Sequence, residues 1–377
     1  MIPYGKQSID EDDIAEVVKV LKGDWLTCGP KVAEFEEKLA EYCGAKYAVA
    51  VNSGTGALEL SYMAIGLKPG DEVITTPLTF AATSNAFIYL GAKPVFVDID
   101  AGSLNIDIGL IEQAITPQTK AIAIVDFAGR PCEFDKINEI AQKHNLFVVA
   151  DGAHAIGASY KGRRVGGLVD FTTFSFHPVK AITTGEGGAV LTNSKEFYEK
   201  MKVLRHHGVV KKPEQGGWCY QIEEPGHNFR ITDFQCALGI SQLKKLDKFI
   251  AKRRDIVQKY NQAFKGIKEI ILPSEGEDMK SAWHIYPIQF DLAKLKVGRK
   301  ELFDSFKEQG IGVQVHYMPL HLHPFYQKAF GYKQGDFKVA EKYYEQAITI
   351  PLYPTMTDEE VEKVIATVKA LVSQYAI

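Results

Sequence analysis

From Phe171 to Gly185 the chain reads FTTFSFHPVKAITTG, and Lys180 is the one residue of this stretch that carries a charge at neutral pH. Lysine is seldom buried without a partner, so one set among apolar and hydroxyl side chains asks for a reason. Desolvation disfavours the ammonium and lowers its pKa. The free amine that results is the species that attacks carbonyls and forms Schiff bases. The ordinary alternative is a loop lysine with its ammonium in water. Ser175 and His177 precede Lys180, and Thr183-Thr184-Gly185-Glu186-Gly187-Gly188 follows it. A hydroxyl five residues before the lysine could bind a phosphate; Glu186 in the turn reads as a loop anchor rather than a base.

Three further positions carry compatible chemistry, each just after an apolar run. Asn52-Ser53-Gly54-Thr55-Gly56 follows YAVAV and opens a helical stretch. Glycines and hydroxyls at a helix N-terminus offer backbone N–H groups and a positive dipole end to a phosphate. Neither a G-x-G-x-x-G nor a G-x-x-x-x-G-K-[ST] pattern is present, which disfavours dinucleotide and P-loop readings. Asp151 follows LFVVA and leads into Gly152-Ala153-His154. A carboxylate deep at a strand's carboxyl end must be paired, and a protonated pyridine nitrogen would pair it; capping a helix or holding His154 is the competing role. Phe80, after EVITT, could cover a flat cofactor or simply belong to the core. A phosphate cradle, a pyridinium partner, a stacking ring and an isolated lysine are together what pyridoxal 5′-phosphate (PLP) requires of a protein.

The elements that must position these residues are legible in the pattern. Seven short β-rich runs lie between residues 47 and 192: YAVAV, EVITT, PVFVD, KAIAIV, LFVVA, FTTFSF and GAVLT. The first five alternate with stretches of helical length such as Gly56 to Ile65 and Phe134 to Lys143, which predicts βα units and a mostly parallel seven-stranded sheet with helices on both faces. The last two runs have less helix between them, so one strand is expected to be antiparallel. Ligands of such sheets bind beyond the carboxyl ends of the strands, where the four positions fall. Before the sheet, Asp10 to Asp13 begin an amphipathic helix whose apolar face is expected to be Ile14, Val17, Val18 and Leu21, ending at Gly23. After it, Thr232-x-x-Gln235 caps a helix carrying Leu238, Ile240, Leu243 and Leu246. From about residue 245 Lys-rich helices mix with expected strands at HIYPIQF and GVQVHY, and Thr357 with Glu360 caps a last helix. The reading is an α/β fold with residues 1–244 as an N-terminal segment and large domain, and 245–377 as a smaller α+β domain.

Composition bounds the function. Of 377 residues 46% are hydrophobic and 24% charged, and Lys+Arg (44) against Asp+Glu (47) leave a net charge of −3 without like-charge blocks, so neither nucleic acid nor a membrane surface is an expected partner. The start MIPYGKQSIDEDD lacks the basic and apolar regions of a signal peptide. Five scattered cysteines without a C-x-x-C pair read as reduced thiols in a cytoplasm. No metal is expected: His206-His207 and His321-x-His323 have no carboxylate or cysteine at ligand spacing.

Asp151-Gly-Ala-His154, Ser175-Phe-His-Pro-Val-Lys180 and Thr183-Thr-Gly-Glu-Gly-Gly188 resemble the PLP-dependent sugar-nucleotide aminotransferases of the DegT/DnrJ/EryC1/StrS family, of fold type I. The likeness runs from Trp25-Leu-Thr-Cys-Gly-Pro30 through Gly226-His-Asn-Phe-Arg230 to Val315-His-Tyr317. The stretches SFHPVKAITTGEGGAV, GHNFRITDFQCALGISQLKK and GIGVQVHY are most similar to the branch acting on UDP-linked 4-keto-6-deoxy-N-acetylhexosamines. The resemblance implies L-glutamate as amino donor and such a UDP-linked 4-ketosugar as acceptor. It implies Lys180 as the Schiff-base lysine, Asp151 on the ring nitrogen and His154 near the ring oxygen. Phosphate would be held by Gly54, Thr55, Gly56 and Ser175, with Asn228 reaching in from the other subunit of a homodimer, and Phe80 would stack on the ring. Tyr4, Trp25, Leu26, Thr27, Gln314, Val315, His316 and Tyr317 would line the sugar-nucleotide side. Trp25 stands at a position that varies among relatives, whereas Lys180, replaced by His in the family's dehydratases, favours transamination.

Overall fold

The structure, a computed structural model, describes residues 1–377. The seven apolar runs form one seven-stranded sheet: β1 (Tyr47–Val51), β2 (Glu72–Thr75), β3 (Lys93–Phe96), β4 (Thr119–Val125), β5 (Phe147–Asp151), β6 (Phe171–Ser175) and β7 (Gly188–Thr192), in the order β1-β7-β6-β5-β4-β2-β3. Pairing is parallel from β3 to β6, with Val125 opposite Asp151 and Asp151 opposite Thr173. Strand β7 is the antiparallel one, set between β6 and β1. Both faces are buried, as near-continuous apolar strands require: Ala48, Ala50, Ile122, Ile124 and Val148 enter one core, while Val49, Val51, Ala121, Ala123 and Val149 enter another.

The helices that bear on the site are α1 (Glu11–Leu21), α2 (Gly54–Ala64), α3 (Ala82–Ile88), α4 (Phe134–His144), α5 (Asp233–Leu243), α6 (Leu246–Phe264), α7 (Arg299–Glu308) and α8 (Asp358–Tyr375). Thr232 and Gln235 make the expected capping box on α5, as do Thr357 and Glu360 on α8. A third core gathers α6, α7 and α8 on an antiparallel sheet of β8 (Ile270–Ile271), β9 (Tyr286–Phe290) and β10 (Ala347–Ile350), and Ile2 packs into it.

Two expectations fail. Helix α1 turns its apolar stripe outward: Ile14 and Leu21 are about half exposed and Val18 over a third, while Asp13 and Val20 are buried. The cause is a polar anchor, for Asp13 accepts from Gln242 Nε2 at 2.7 Å and lies 3.0 Å from Lys245 Nζ. A buried carboxylate so paired fixes the helix's rotation more firmly than a stripe of Ile, Val and Leu. GVQVHY is not a strand either, because only Gln314 pairs, through two backbone hydrogen bonds with Thr349 (3.1 and 2.7 Å), before the chain leaves the sheet. No helix is long and apolar enough to cross a membrane.

Candidate active site

A pocket of about 470 Å³ opens beyond the carboxyl ends of the parallel strands. Its floor is built from the turns that follow them. Ser53 caps α2, its Oγ accepting from Gly56 N at 3.0 Å. Gly56's amide is therefore engaged, and the amides of Gly54 and Thr55 open the helix without an intrahelical partner. Gly54 is needed for closeness: a Cβ there would lie 2.8 Å from Ser175 Cβ, so only glycine lets the end of β6 come against the start of α2. Two amides, a helix dipole and the Ser175 hydroxyl form an anion cradle.

Lys180 lines the same pocket, on the loop between β6 and β7, its amide hydrogen-bonded to His177 O at 2.9 Å. It keeps some accessible surface because it faces the cavity, yet protein surrounds its amine. Burial lowers its pKa to about 8, against the upward pull of the Asp151 charge. Asp151 is buried at the end of β5. Burial raises its pKa, opposed by the Thr83 hydroxyl at 2.6 Å, the Ala153 amide at 3.1 Å and the charge of Lys180. Thr83, on α3, spends its proton on Asp151, so Thr79 Oγ1, 2.7 Å away, donates to Thr83 in turn. A carboxylate met by one hydroxyl and one amide has room for a cation, and a protonated ring nitrogen supplies one.

His154 is buried beside it, with Nε2 3.3 Å from Tyr317 Oη and Nδ1 buried without a partner. Burial first, then Lys180, pushes its pKa well below the usual imidazole range, so it is neutral at physiological pH. The opposite wall comes from segments outside the stretch that forms the sheet: Tyr4, His284 and Gln314 to Tyr317. Phe80 stands at the mouth, 60% exposed, its ring 6.0 Å from that of Tyr317. His316 meets the Tyr317 ring edge-on, centroids 4.9 Å apart, with its Nδ1 2.9 Å from Thr349 Oγ1, and burial lowers its pKa to about 4.

The pocket thus brings together Tyr4, Gly54, Thr55, Phe80, Asp151, His154, Ser175, Lys180 and residues 314–317, while Gly56, in the same first turn of α2, does not line it. It does not gather Trp25, Leu26, Thr27 or Asn228 of the same chain. Leu26 O accepts from Asp233 N at the start of α5, Thr27 pairs with Thr232, and Trp25 is 58% exposed. Asn228 is exposed, its carbonyl accepting from Asn52 Nδ2 at 3.2 Å. Thr79, Thr83 and His284 belong to the site without having been foreseen. Hydroxyls four apart after a strand were a usable signal for the threonines; His284 had none.

Residues 7–369 match the sequence profile of the DegT/DnrJ/EryC1/StrS aminotransferase family, and the chain belongs to that family. It is 45% identical to the spore coat polysaccharide biosynthesis protein SpsC of Bacillus subtilis, over 98% of this chain and 97% of that one. It is 44% identical to the UDP-4-amino-4,6-dideoxy-N-acetyl-beta-L-altrosamine transaminase of Campylobacter jejuni, over 94% of this chain and 93% of that one. Among solved structures, Spr1654 of Streptococcus pneumoniae superposes with a TM-score of 0.95 at 34% identity, covering 99% of this chain and all of that one, and is known in PMP and PLP forms. The protein is a PLP-dependent sugar aminotransferase, and the seven-stranded sheet is that of its fold.

Proposed function

We propose that the protein moves the amino group of L-glutamate to C4 of a UDP-linked 4-keto-6-deoxy-N-acetylhexosamine, giving UDP-4-amino-4,6-dideoxy-N-acetyl-β-L-altrosamine. The observation that carries the chemistry is Lys180, an amine brought to about 8 in a pocket that also holds a buried carboxylate and an anion cradle. The 44% identity to the Campylobacter jejuni transaminase supports the acceptor. A 45% identity to SpsC, a spore coat polysaccharide biosynthesis protein, does not single out that acceptor, and the second reading is another nucleotide-linked 4-ketosugar such as a dTDP- or GDP-linked one.

Bound in the pocket, PLP supplies an aldehyde that receives the amino group and a ring that takes up the electron pair left when a C–H bond breaks. Gly54, Thr55 and Ser175 would hold its phosphate, Asp151 its ring nitrogen and His154 its ring oxygen, with Phe80 over the ring. Lys180, whose amine burial brings down to about 8, accepts and returns a proton at Nζ. The hydroxyl chain Thr79–Thr83 steadies the Asp151 carboxylate. Tyr4, Gln314, Val315, His316 and Tyr317 orient the acceptor. Residues 1–244 act as the large domain and 245–377 as the small one.

We further propose a cytoplasmic homodimer in which Asn228, with Trp25, Leu26 and Thr27, serves the partner's pocket. Its support is that these four are exposed and do not line their own pocket, and all five cysteines are unpaired. A two-fold axis would make the exchange reciprocal. The substrate is tested by incubating the protein with glutamate and a panel of 4-ketosugar nucleotides and identifying the aminated product by mass and NMR. Preferential amination of a dTDP- or GDP-linked sugar would replace the first reading with the second. Shared sites are tested by mixing Lys180→Ala and Asn228→Ala subunits: activity partly returns if one site of each heterodimer escapes both lesions, and stays absent if Asn228 serves its own chain.

A further inference from the structure

His284 lines the pocket two residues before β9, and its place is set with unusual care. The segment Ser281–His284 docks on the turn that follows β4. Ala282 N donates to Gly129 O and His284 N to Ala128 O, each at 3.0 Å. Gly129 has φ +93, and a Cβ there would lie 2.8 Å from His154 O and 2.9 Å from Trp283 N, so three segments meet where only glycine fits. Trp283 itself takes φ +48, a left-handed conformation that a bulky side chain adopts only when its surroundings impose it. Those surroundings are present. The Trp283 amide donates to Ser281 Oγ (3.0 Å), and fully buried Arg253 on α6 donates through Nη1 to the carbonyls of Trp283 (3.3 Å), His284 (2.9 Å) and Leu352 (2.8 Å).

This clamped backbone delivers the His284 ring onto His154, centroids 4.3 Å apart and planes inclined by 41°. His154 needs such a support. Its one side-chain hydrogen bond, to Tyr317, is long at 3.3 Å, and its Nδ1 has no partner. Hydrogen bonding alone therefore leaves the imidazole free to turn. His284 Nδ1 is likewise buried without a partner, so the face it lays on His154 is its evident contact.

We propose that His284 is a positioning residue for His154: its ring, set by a backbone clamped between Arg253 and the turn at Ala128–Gly129, holds the His154 imidazole in one orientation on the pocket wall beside the cofactor. The proposal rests on the reading of this pocket as the PLP site. The test compares PLP-loaded wild type with His284→Leu, which fills the space without a flat ring, and His284→Phe, which keeps one. The readouts are kcat, KM for glutamate and the visible circular dichroism of the bound cofactor, which reports how asymmetrically it is held. His284→Leu should lower kcat about tenfold with KM within about threefold, and weaken the visible dichroism, while His284→Phe stays within about threefold of wild type in kcat and keeps the signal. Arg253→Lys should move the dichroism in the same direction by less. Thermal melting separates these effects from unfolding, and His284→Met replaces the leucine variant if that one is unstable. Wild-type dichroism and kcat in the leucine variant, or a phenylalanine variant as impaired as the leucine one, overturns the proposal. Borohydride reduction of the same wild-type preparation keeps the two readings apart. A label on a lysine other than Lys180 overturns the assignment of the pocket itself and this proposal with it, and a label on Lys180 with unmoved spectra overturns this proposal alone.

Discussion

The two walls of the pocket are built by opposite means. One is the carboxyl edge of a parallel sheet, where Gly54, Thr55, Asp151, Ser175 and Lys180 each stand within a few residues of a strand end. The other is assembled from Tyr4, His284 and residues 314–317, of which Gln314 alone pairs with a strand and which come from both ends of the chain. The first wall follows from local pattern, since a buried parallel strand must end where its apolar run ends and its next residue then faces the cavity. The second exists only after the C-terminal body has docked. The contrast suggests a division of labour, with bond-making groups on the sheet wall and substrate selection on the docked one.

That division can be broken by variants that harm the wrong kinetic step. The largest effect belongs to Lys180→Ala, which should bind the cofactor without covalent attachment and complete no catalytic cycle; measurable steady-state turnover in single-site purified protein would remove Lys180 from the chemistry. Asp151→Asn comes next. An amide can still donate a hydrogen bond to an unprotonated ring nitrogen but cannot hold that nitrogen protonated, so kcat should fall by about three orders of magnitude, roughly 4 kcal/mol, while PLP affinity measured by fluorescence titration changes little. Near-normal rates would reduce Asp151 to a structural carboxylate.

The pH dependence of cofactor uptake is a smaller effect. The free-amine fraction of Lys180 grows as pH rises through about 8. Uptake of PLP by cofactor-free protein, followed by absorbance, should therefore rise about tenfold per pH unit below that value and level off above it, whereas an unperturbed lysine would climb past about 10. The smallest effect sharpens the comparison. Gln314→Ala should raise KM for the sugar nucleotide about three- to tenfold and leave the half-reaction with glutamate unchanged, as stopped-flow absorbance would show. A slowed glutamate step would mean that the docked wall shares in the chemistry.

Sequence pattern made the sheet legible because its cause is local: alternation of apolar runs with helical stretches, each with its own turn. All seven runs became strands, and the late pair supplied the antiparallel one. The misreadings share a different cause. Helix α1 presents a convincing stripe at Ile14, Val18 and Leu21, but its rotation is decided by Gln242 and Lys245, more than two hundred residues away. GVQVHY has strand-like residues but finds a partner for Gln314 alone. His284 is invisible in sequence because its meaning lies in a ring contact with His154 and in a carbonyl clamp from Arg253.

One consequence of the antiparallel β7 concerns time rather than place. Because β6 and β7 are sequence neighbours paired from Thr172–Leu191 to Ser175–Gly188, the intervening loop that carries Lys180 is closed at its base by its own hairpin. Phe176 N to Gly187 O (2.9 Å) and Thr184 N to Phe176 O (3.0 Å) tie it further. Closing a loop of about a dozen residues costs little chain entropy, whereas joining Tyr4 or residues 314–317 to the pocket requires contacts across much of the sequence. The housing of the lysine should therefore form early in refolding, before the rest of the pocket exists around it. Pulsed hydrogen exchange should show the amides of Phe176 and Thr184 protected ahead of Gln314 and Thr349; simultaneous protection would mean that the lysine's loop waits for the whole molecule.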